Sequence, residues 1–157
     1  MSNLGPIVPY FTEKTGSKET EYSFLFLCKS AGFFLGSLLL RKYEHKMIFH
    51  SIMIRCSISL FVLMLLFAIT YDFLLQGILM VFIGTFMSIV NIVVNVCVAE
   101  TQKNGDSHFW IMILHGMYGV GGLLGPFVIY LLGIHSYALF GTMLLILAPV
   151  YYKLKSP

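Results

Sequence analysis

Five long runs of apolar residues, separated by short polar segments, constrain the fold of this chain more than any other feature. A helix needs about 20 residues to cross the roughly 30 Å of hydrocarbon in a bilayer, and each run is close to that length. The runs cover residues 22–40, 48–70, 73–98, 108–133 and 135–152. Because a backbone in lipid must satisfy its own hydrogen bonds, these runs predict an all-α integral membrane bundle of about five transmembrane helices.

The composition supports a membrane location and excludes several other classes of protein. Hydrophobic residues make up 58% of the chain and charged residues 11%, against about 25% charged residues in a soluble domain. The net charge of +3 forms no basic stripe, so we expect no nucleic-acid partner. Cys28, Cys56 and Cys97 lie far apart in apolar runs, which predicts neither a disulfide nor a metal site. No HExxH motif, Ser/His/Asp grouping, phosphate-binding glycine loop or catalytic carboxylate pair is present, so we expect no cofactor and no enzyme activity.

The basic residues of the connecting segments predict the orientation, because Lys and Arg in short loops stay on the cytoplasmic side. One side carries Arg41, Lys42, Lys46, Lys103, Lys153 and Lys155, and the other carries Lys14 and Lys18. We therefore expect residues 1–21 on the non-cytoplasmic side and residues 153–157 as a cytoplasmic tail. A chain that begins outside without an export signal predicts a further segment before Met1, and "GPIVPY" is typical of the last turn of a helix and its exit loop.

Polar and ionisable groups inside the apolar runs are costly and usually face a bundle interior or a water-filled path. Five of these residues are candidates for a functional site: Lys29, Asn91, Asn95, His115 and Tyr118. At about 1.5 Å per helical residue, all but Asn95 fall about 10 to 16 Å from the cytoplasmic ends of their spans. This convergence predicts a binding site for a small solute near the middle of the membrane.

Each of these residues also has a purely structural interpretation. Lys29 can pair with a solute hydroxyl or a carboxylate on another helix, or can snorkel toward the outer surface. Asn91 and Asn95 lie on one helical face and can bind hydroxyl groups, or can join helices through interhelical hydrogen bonds. His115 can carry a proton near neutral pH, or can be a neutral packing residue. Tyr118 can stack on a sugar ring.

Glycines in two of the runs predict close helix packing. Gly32 and Gly36 form a GxxxG pattern that lets helix backbones approach. Gly121, Gly125 and Pro126 belong to the glycine-rich run "HGMYGVGGLLGPFV", in which the proline is expected to kink the helix.

Several stretches resemble the major facilitator superfamily of secondary transporters. "GPIVPYFTEKTG" is similar to the end of that family's first helix, and "KSAGFFLGSLLLRKYEHK" to its second helix and the basic turn that follows. "HGMYGVGGLLGPFV" resembles the glycine-rich fifth helix, with Gly121, Gly125 and Pro126 in the spacing of the family's Gly-x-x-x-Gly-Pro pattern. Within the superfamily, the chain most resembles the fucose/proton symporters and the sodium-dependent glucose transporter-like proteins.

The resemblance implies the N-terminal half of a two-halved fold that encloses a central cavity, with the first helix cut to its end. It also implies that Asn91 and Asn95 occupy the positions of an acidic residue and an asparagine on the fourth helix, and that His115 and Tyr118 lie on the pore-lining face of the fifth. Because Asn91 stands where an acid is expected, ion coupling at that position is disfavoured. The partners implied are a small polar solute, with sugars among the candidates, the lipid bilayer, and a missing C-terminal half or a second copy.

Two functions follow from these observations. The first is a secondary transporter, or its N-terminal half, that moves a small polar solute by alternating access. The second is a membrane scaffold or subunit that does not transport, or an inactive gene fragment of the same family.

Overall fold

The computed structural model describes residues 19–43, 49–101, 107–133, 136 and 139–143. It contains four long helices, which we name α1 (Glu19–Tyr43), α2 (Phe49–Ile69), α3 (Phe73–Thr101) and α4 (Ser107–Leu132). Each includes a stretch long and apolar enough to cross a membrane: Ser23–Arg41, Ser51–Ile69, Phe73–Thr101 and Ser107–Leu132. Within these ranges no strand occurs, so the prediction of an all-α membrane helical bundle is confirmed.

The fifth predicted span, residues 135–152, is described only at residues 136 and 139–143, which are helical. Gly141 lies against the ring of Phe61 on α2, since a Cβ on this glycine would come within 2.9 Å of the ring. The predicted cytoplasmic tail at 153–157 and residues 1–18 lie outside the described residues.

Helix α3 is the centre of the bundle, because α1, α2 and α4 all pack against it. The contact with α1 is the most extensive and the contact with α4 the least. The main apolar core joins all four helices and consists of Leu25, Leu60, Met64, Phe67, Leu79, Met80, Ile83 and Ile129. A second apolar cluster lies at the other end of the contact between α1, α2 and α3, and consists of Leu40, Met53 and Val93.

Helices α1 and α3 run parallel to each other. Gly77 lies near Cys28, Gly32 near Val81, and Leu40 packs with Val93, so residue numbers rise together along both helices. A parallel pair requires a returning helix, and α2 supplies it.

The short connection between α2 and α3 is fixed by two polar side chains. Asp72 caps α3, since its Oδ1 accepts a hydrogen bond of 2.8 Å from the backbone N–H of Leu75. Gln76, which is completely buried, donates from Nε2 to the carbonyl of Thr70 at 2.8 Å. That carbonyl lies just past the end of α2, where backbone acceptors lack helical partners, so the three residues 70–72 suffice to turn the chain.

Helix α4 ends at a left-handed glycine. Gly133 has a φ of 54°, and its N–H donates to the carbonyl of Ile129 at 2.8 Å. The Ser136 hydroxyl then donates to the Gly133 carbonyl at 2.6 Å. This arrangement is the common glycine termination of an α-helix.

Candidate functional site

Three glycines allow the backbones of α1 and α3 to touch. A Cβ on Gly32 would collide with the Val81 carbonyl oxygen and lie 2.7 Å from its carbonyl carbon. A Cβ on Gly36 would collide with the Thr85 carbonyl oxygen, and one on Gly84 with the Lys29 carbonyl oxygen. Because these neighbours are backbone atoms, they have no rotamer into which to move. The α1–α3 pair is therefore in close backbone contact at these three positions.

Lys29 lies on the side of α1 that faces α3. Leu25, four residues earlier, and Gly32, three residues later, are both buried, and Lys29 itself is half-buried. Residues at these spacings share a helical face, so the lysine points toward the bundle and away from the outer surface of α1.

Lys29 and Asn91 lie at different levels. The backbone of Lys29 is beside Gly84, seven residues before Asn91, which is about 10 Å along the helix axis. The depth count from the sequence expects the two residues at one level. It assumes that both spans end together, whereas Leu40 packs against Val93 and α3 continues beyond that contact to Thr101.

Asn91 and Asn95 are half-buried on α3 and directly linked. Asn95 donates from Nδ2 to the backbone carbonyl of Asn91 at 2.8 Å. This bond uses part of the Asn95 amide and reduces the cost of placing it in an apolar helix. No corresponding bond involves the Asn91 amide within the described ranges, so Asn91 has the greater capacity to bind another group.

His115 and Tyr118 lie side by side on the exposed surface of α4. Their ring centroids are 5.9 Å apart and the ring planes are tilted by 56°. An apolar groove between α3 and α4 is lined by Cys97, Val98, Thr101, Trp110, Ile113, Leu114 and Met117. Farther along α4, Ile129 belongs to the core that contains Leu79 and Met80 of α3, so the two helices run antiparallel. His115 lies within the α4 stretch that lines the groove, whereas Asn91 lies six residues before Cys97, or about 9 Å away along the axis of α3.

The glycines of α4 differ from those of α1. A Cβ placed on Gly116, Gly119 or Gly121 would meet no atom of the described residues within 4 Å. Gly125 is buried and Pro126, inside the helix, is half-buried. The packing role predicted for Gly121, Gly125 and Pro126 stays a prediction, and the face that contains Gly121 is open.

The comparison with known proteins decides the family. The sequence model of the Major Facilitator Superfamily matches residues 1–157. The chain belongs to the Major Facilitator Superfamily. No curated protein and no solved structure matches it.

Members of the Major Facilitator Superfamily are secondary transporters rather than enzymes, and they carry small solutes across the bilayer in which they reside. This superfamily chain is therefore a secondary transporter or a fragment of one. Its four apolar helices and its family make it a multi-pass membrane protein.

Three polar residues of this superfamily chain have structural roles that the sequence pattern does not indicate. Gln76 and Ser88 are completely buried, and Thr85 donates to the backbone of α1. All three lie in the same apolar run as Asn91. The signal available in the sequence was the position of Gln76 directly after the Asp72 turn, where a side-chain amide can reach the preceding helix end.

Proposed function

We propose that this chain forms the N-terminal half of a transporter that moves a small polar solute by alternating access, with sugars as the first class to test. Asn91, Asn95, His115 and Tyr118 contact the solute in this proposal. The observation that carries it is the pair of half-buried asparagines on α3, in which Asn95 donates to the Asn91 carbonyl and no bond of the Asn91 amide occurs within the described ranges.

The chemistry of these residues suits a hydroxylated solute. An asparagine amide offers two donors and an acceptor, so Asn91 can bind a hydroxyl as donor and acceptor at once. Tyr118 presents an aromatic face next to a polar group, which is the usual combination for a sugar ring. Asn95 supports Asn91 through its bond to the Asn91 carbonyl and makes the weaker contact itself.

A cavity between two halves requires either a C-terminal half or a second copy, and the open face of α4 is available to meet it. The basic connecting segments support a cytoplasmic C-terminus. The resemblance to fucose/proton symporters and sodium-dependent glucose transporter-like proteins supports sugars as the solute class. Because residue 91 is not an acid, either another group couples solute transport to an ion gradient or the protein is a uniporter.

The proposal is tested by uptake kinetics of the full-length protein and its Asn91→Ala and Asn95→Ala variants. We expect Asn91→Ala to raise the KM about tenfold, because a hydrogen bond to the solute is lost, and Asn95→Ala to raise it less. The matched control is Ser37→Ala, since the Ser37 hydroxyl donates only to its own helix, to the Phe34 carbonyl at 2.7 Å. Unchanged kinetics of Asn91→Ala at normal surface expression would contradict the solute contact.

A further inference from the structure

The two cations inside the apolar runs face in different directions. Arg55 on α2 is exposed on the outer surface of the bundle, where a long side chain can reach the membrane interface. Lys29 is half-buried and lies between Leu25, which is 1% exposed, and the buried Gly32. Lys29 therefore lies on the face of α1 that packs against α3, where a charged group in a membrane needs a partner.

Helix α3 has a glycine where it meets the backbone of Lys29. Gly84 stands opposite, and a Cβ built on it would lie 3.1 Å from the Lys29 carbonyl carbon and 3.0 Å from the Phe33 nitrogen. No side chain at residue 84 can provide a counter-charge.

The acidic residues of the described ranges are also poorly placed to pair with Lys29. They lie at or near helix ends: Glu19, Glu21, Asp72 and Glu100. Next to α3 the nearest is Asp72, twelve residues before Gly84, or about 18 Å along the axis. Its Oδ1 already accepts from the Leu75 N–H. A lysine side chain reaches only about a third of that distance.

We infer that Lys29 forms an anion site in the transport path, which holds either the carboxylate of the transported solute or a chloride ion that accompanies it. The inference rests on the proposed transport function and deepens it. An ammonium group is a compact charge with three donors, which suits a carboxylate or a halide equally well. The axial distance of about 10 Å to Asn91 is within the span of an extended hydroxy acid whose hydroxyls reach toward Asn91.

Thermal unfolding of the purified full-length protein tests this site without requiring transport. The probes are sodium glucuronate against glucose, which share a ring and differ in charge, and sodium chloride against sodium methanesulfonate. We expect one anion of these pairs to raise the Tm by about 2 °C or more over its control. A response to glucuronate assigns the solute carboxylate, and a response to chloride assigns the inorganic ion.

Variants connect the response to Lys29. In Lys29→Gln we expect the anion-dependent Tm shift to disappear, corresponding to an affinity loss of about tenfold or more, while Lys29→Arg retains it. Arg55→Gln is the matched control, since it also removes one cation from a span and should respond like the parent.

Three outcomes overturn the inference. The first is a parent protein whose Tm responds to neither anion, which decides the question even if Lys29→Gln does not fold. The second is an anion response that survives in folded Lys29→Gln, and the third is an equal loss in Arg55→Gln. If the anion response is present and the full-length protein in proteoliposomes takes up no solute of a panel of sugars and sugar acids, the transport proposal fails while anion binding at Lys29 stands.

Discussion

The hydroxyl of Thr85 on α3 donates a hydrogen bond of 3.1 Å to the backbone carbonyl of Gly32 on α1. The same hydroxyl is 2.9 Å from the Val81 carbonyl of its own helix. A side chain as short as threonine reaches the neighbouring backbone only because Gly32, Gly36 and Gly84 remove the side chains that would separate the helices. The α1–α3 pair is thus held by close backbone contact and by a polar bond across the contact.

Gly32→Ala should destabilise the protein by about 1 to 3 kcal/mol, because the added methyl meets the backbone of Val81 and the helices must separate. Thermal unfolding in detergent and the yield of monodisperse protein measure the effect. The matched control is Gly121→Ala, which makes the same chemical change where no described atom lies within 4 Å.

The comparison between these two variants is decisive for the packing. If Gly32→Ala unfolds at the parent temperature, or if Gly121→Ala is the more damaging change, the close α1–α3 contact is not the stabilising feature described here.

Gln76 should be sensitive to both the size and the polarity of its replacement. Gln76→Leu keeps most of the volume and loses the bond to the Thr70 carbonyl, at a cost of about 1 kcal/mol. Gln76→Ala also leaves a cavity in a completely buried position, so its cost should be about 2 kcal/mol or more. Unfolding temperatures in the order parent, Leu, Ala support this account, and an alanine variant as stable as the parent contradicts it.

Two substitutions distinguish the helix-capping role of Asp72 from the effect of its negative charge. Asp72→Ala should cost about 1 kcal/mol, because the first turn of α3 loses the acceptor for the Leu75 N–H. Asp72→Asn retains a capping oxygen and should cost much less. If the alanine and asparagine variants unfold at the same temperature, below that of the parent, the negative charge of Asp72 and not its capping oxygen is the relevant property.

Hydrophobicity and length were sufficient to predict the all-α membrane fold, because a bilayer accepts few alternatives to a helix of about 20 apolar residues. The packing of α1 along α3 was harder to predict. Gly32 and Gly36 identify a face for close approach, but Gly84 and the acceptors at Val81 and Thr85 emerge only once the register is known. Lipid and core side chains are equally apolar, so the sequence carries little information on which helices meet.

The candidate site shows the same limit. The polar residues Lys29, Asn91 and His115 were visible in the sequence because they interrupt apolar runs. Their relative levels along the membrane normal could not be predicted, because counting residues from each span end does not give the axial offset between two helices. Counting from the span ends places Leu40 level with residue 98, whereas Leu40 packs with Val93. The level of Lys29 relative to Asn91 therefore differs by several residues from the level that the count gives.

The central claim, that this superfamily chain is part of a solute transporter, is tested most directly by uptake into proteoliposomes that contain the full-length protein. The measurement uses a panel of labelled sugars, with empty liposomes as the baseline and preloaded unlabelled sugar to drive counterflow. The account predicts saturable uptake of at least one solute, accelerated by preloading and weakened in Asn91→Ala. Uptake equal to that of empty liposomes for every solute, from protein shown to be folded and reconstituted, would contradict it and favour the non-transporting scaffold.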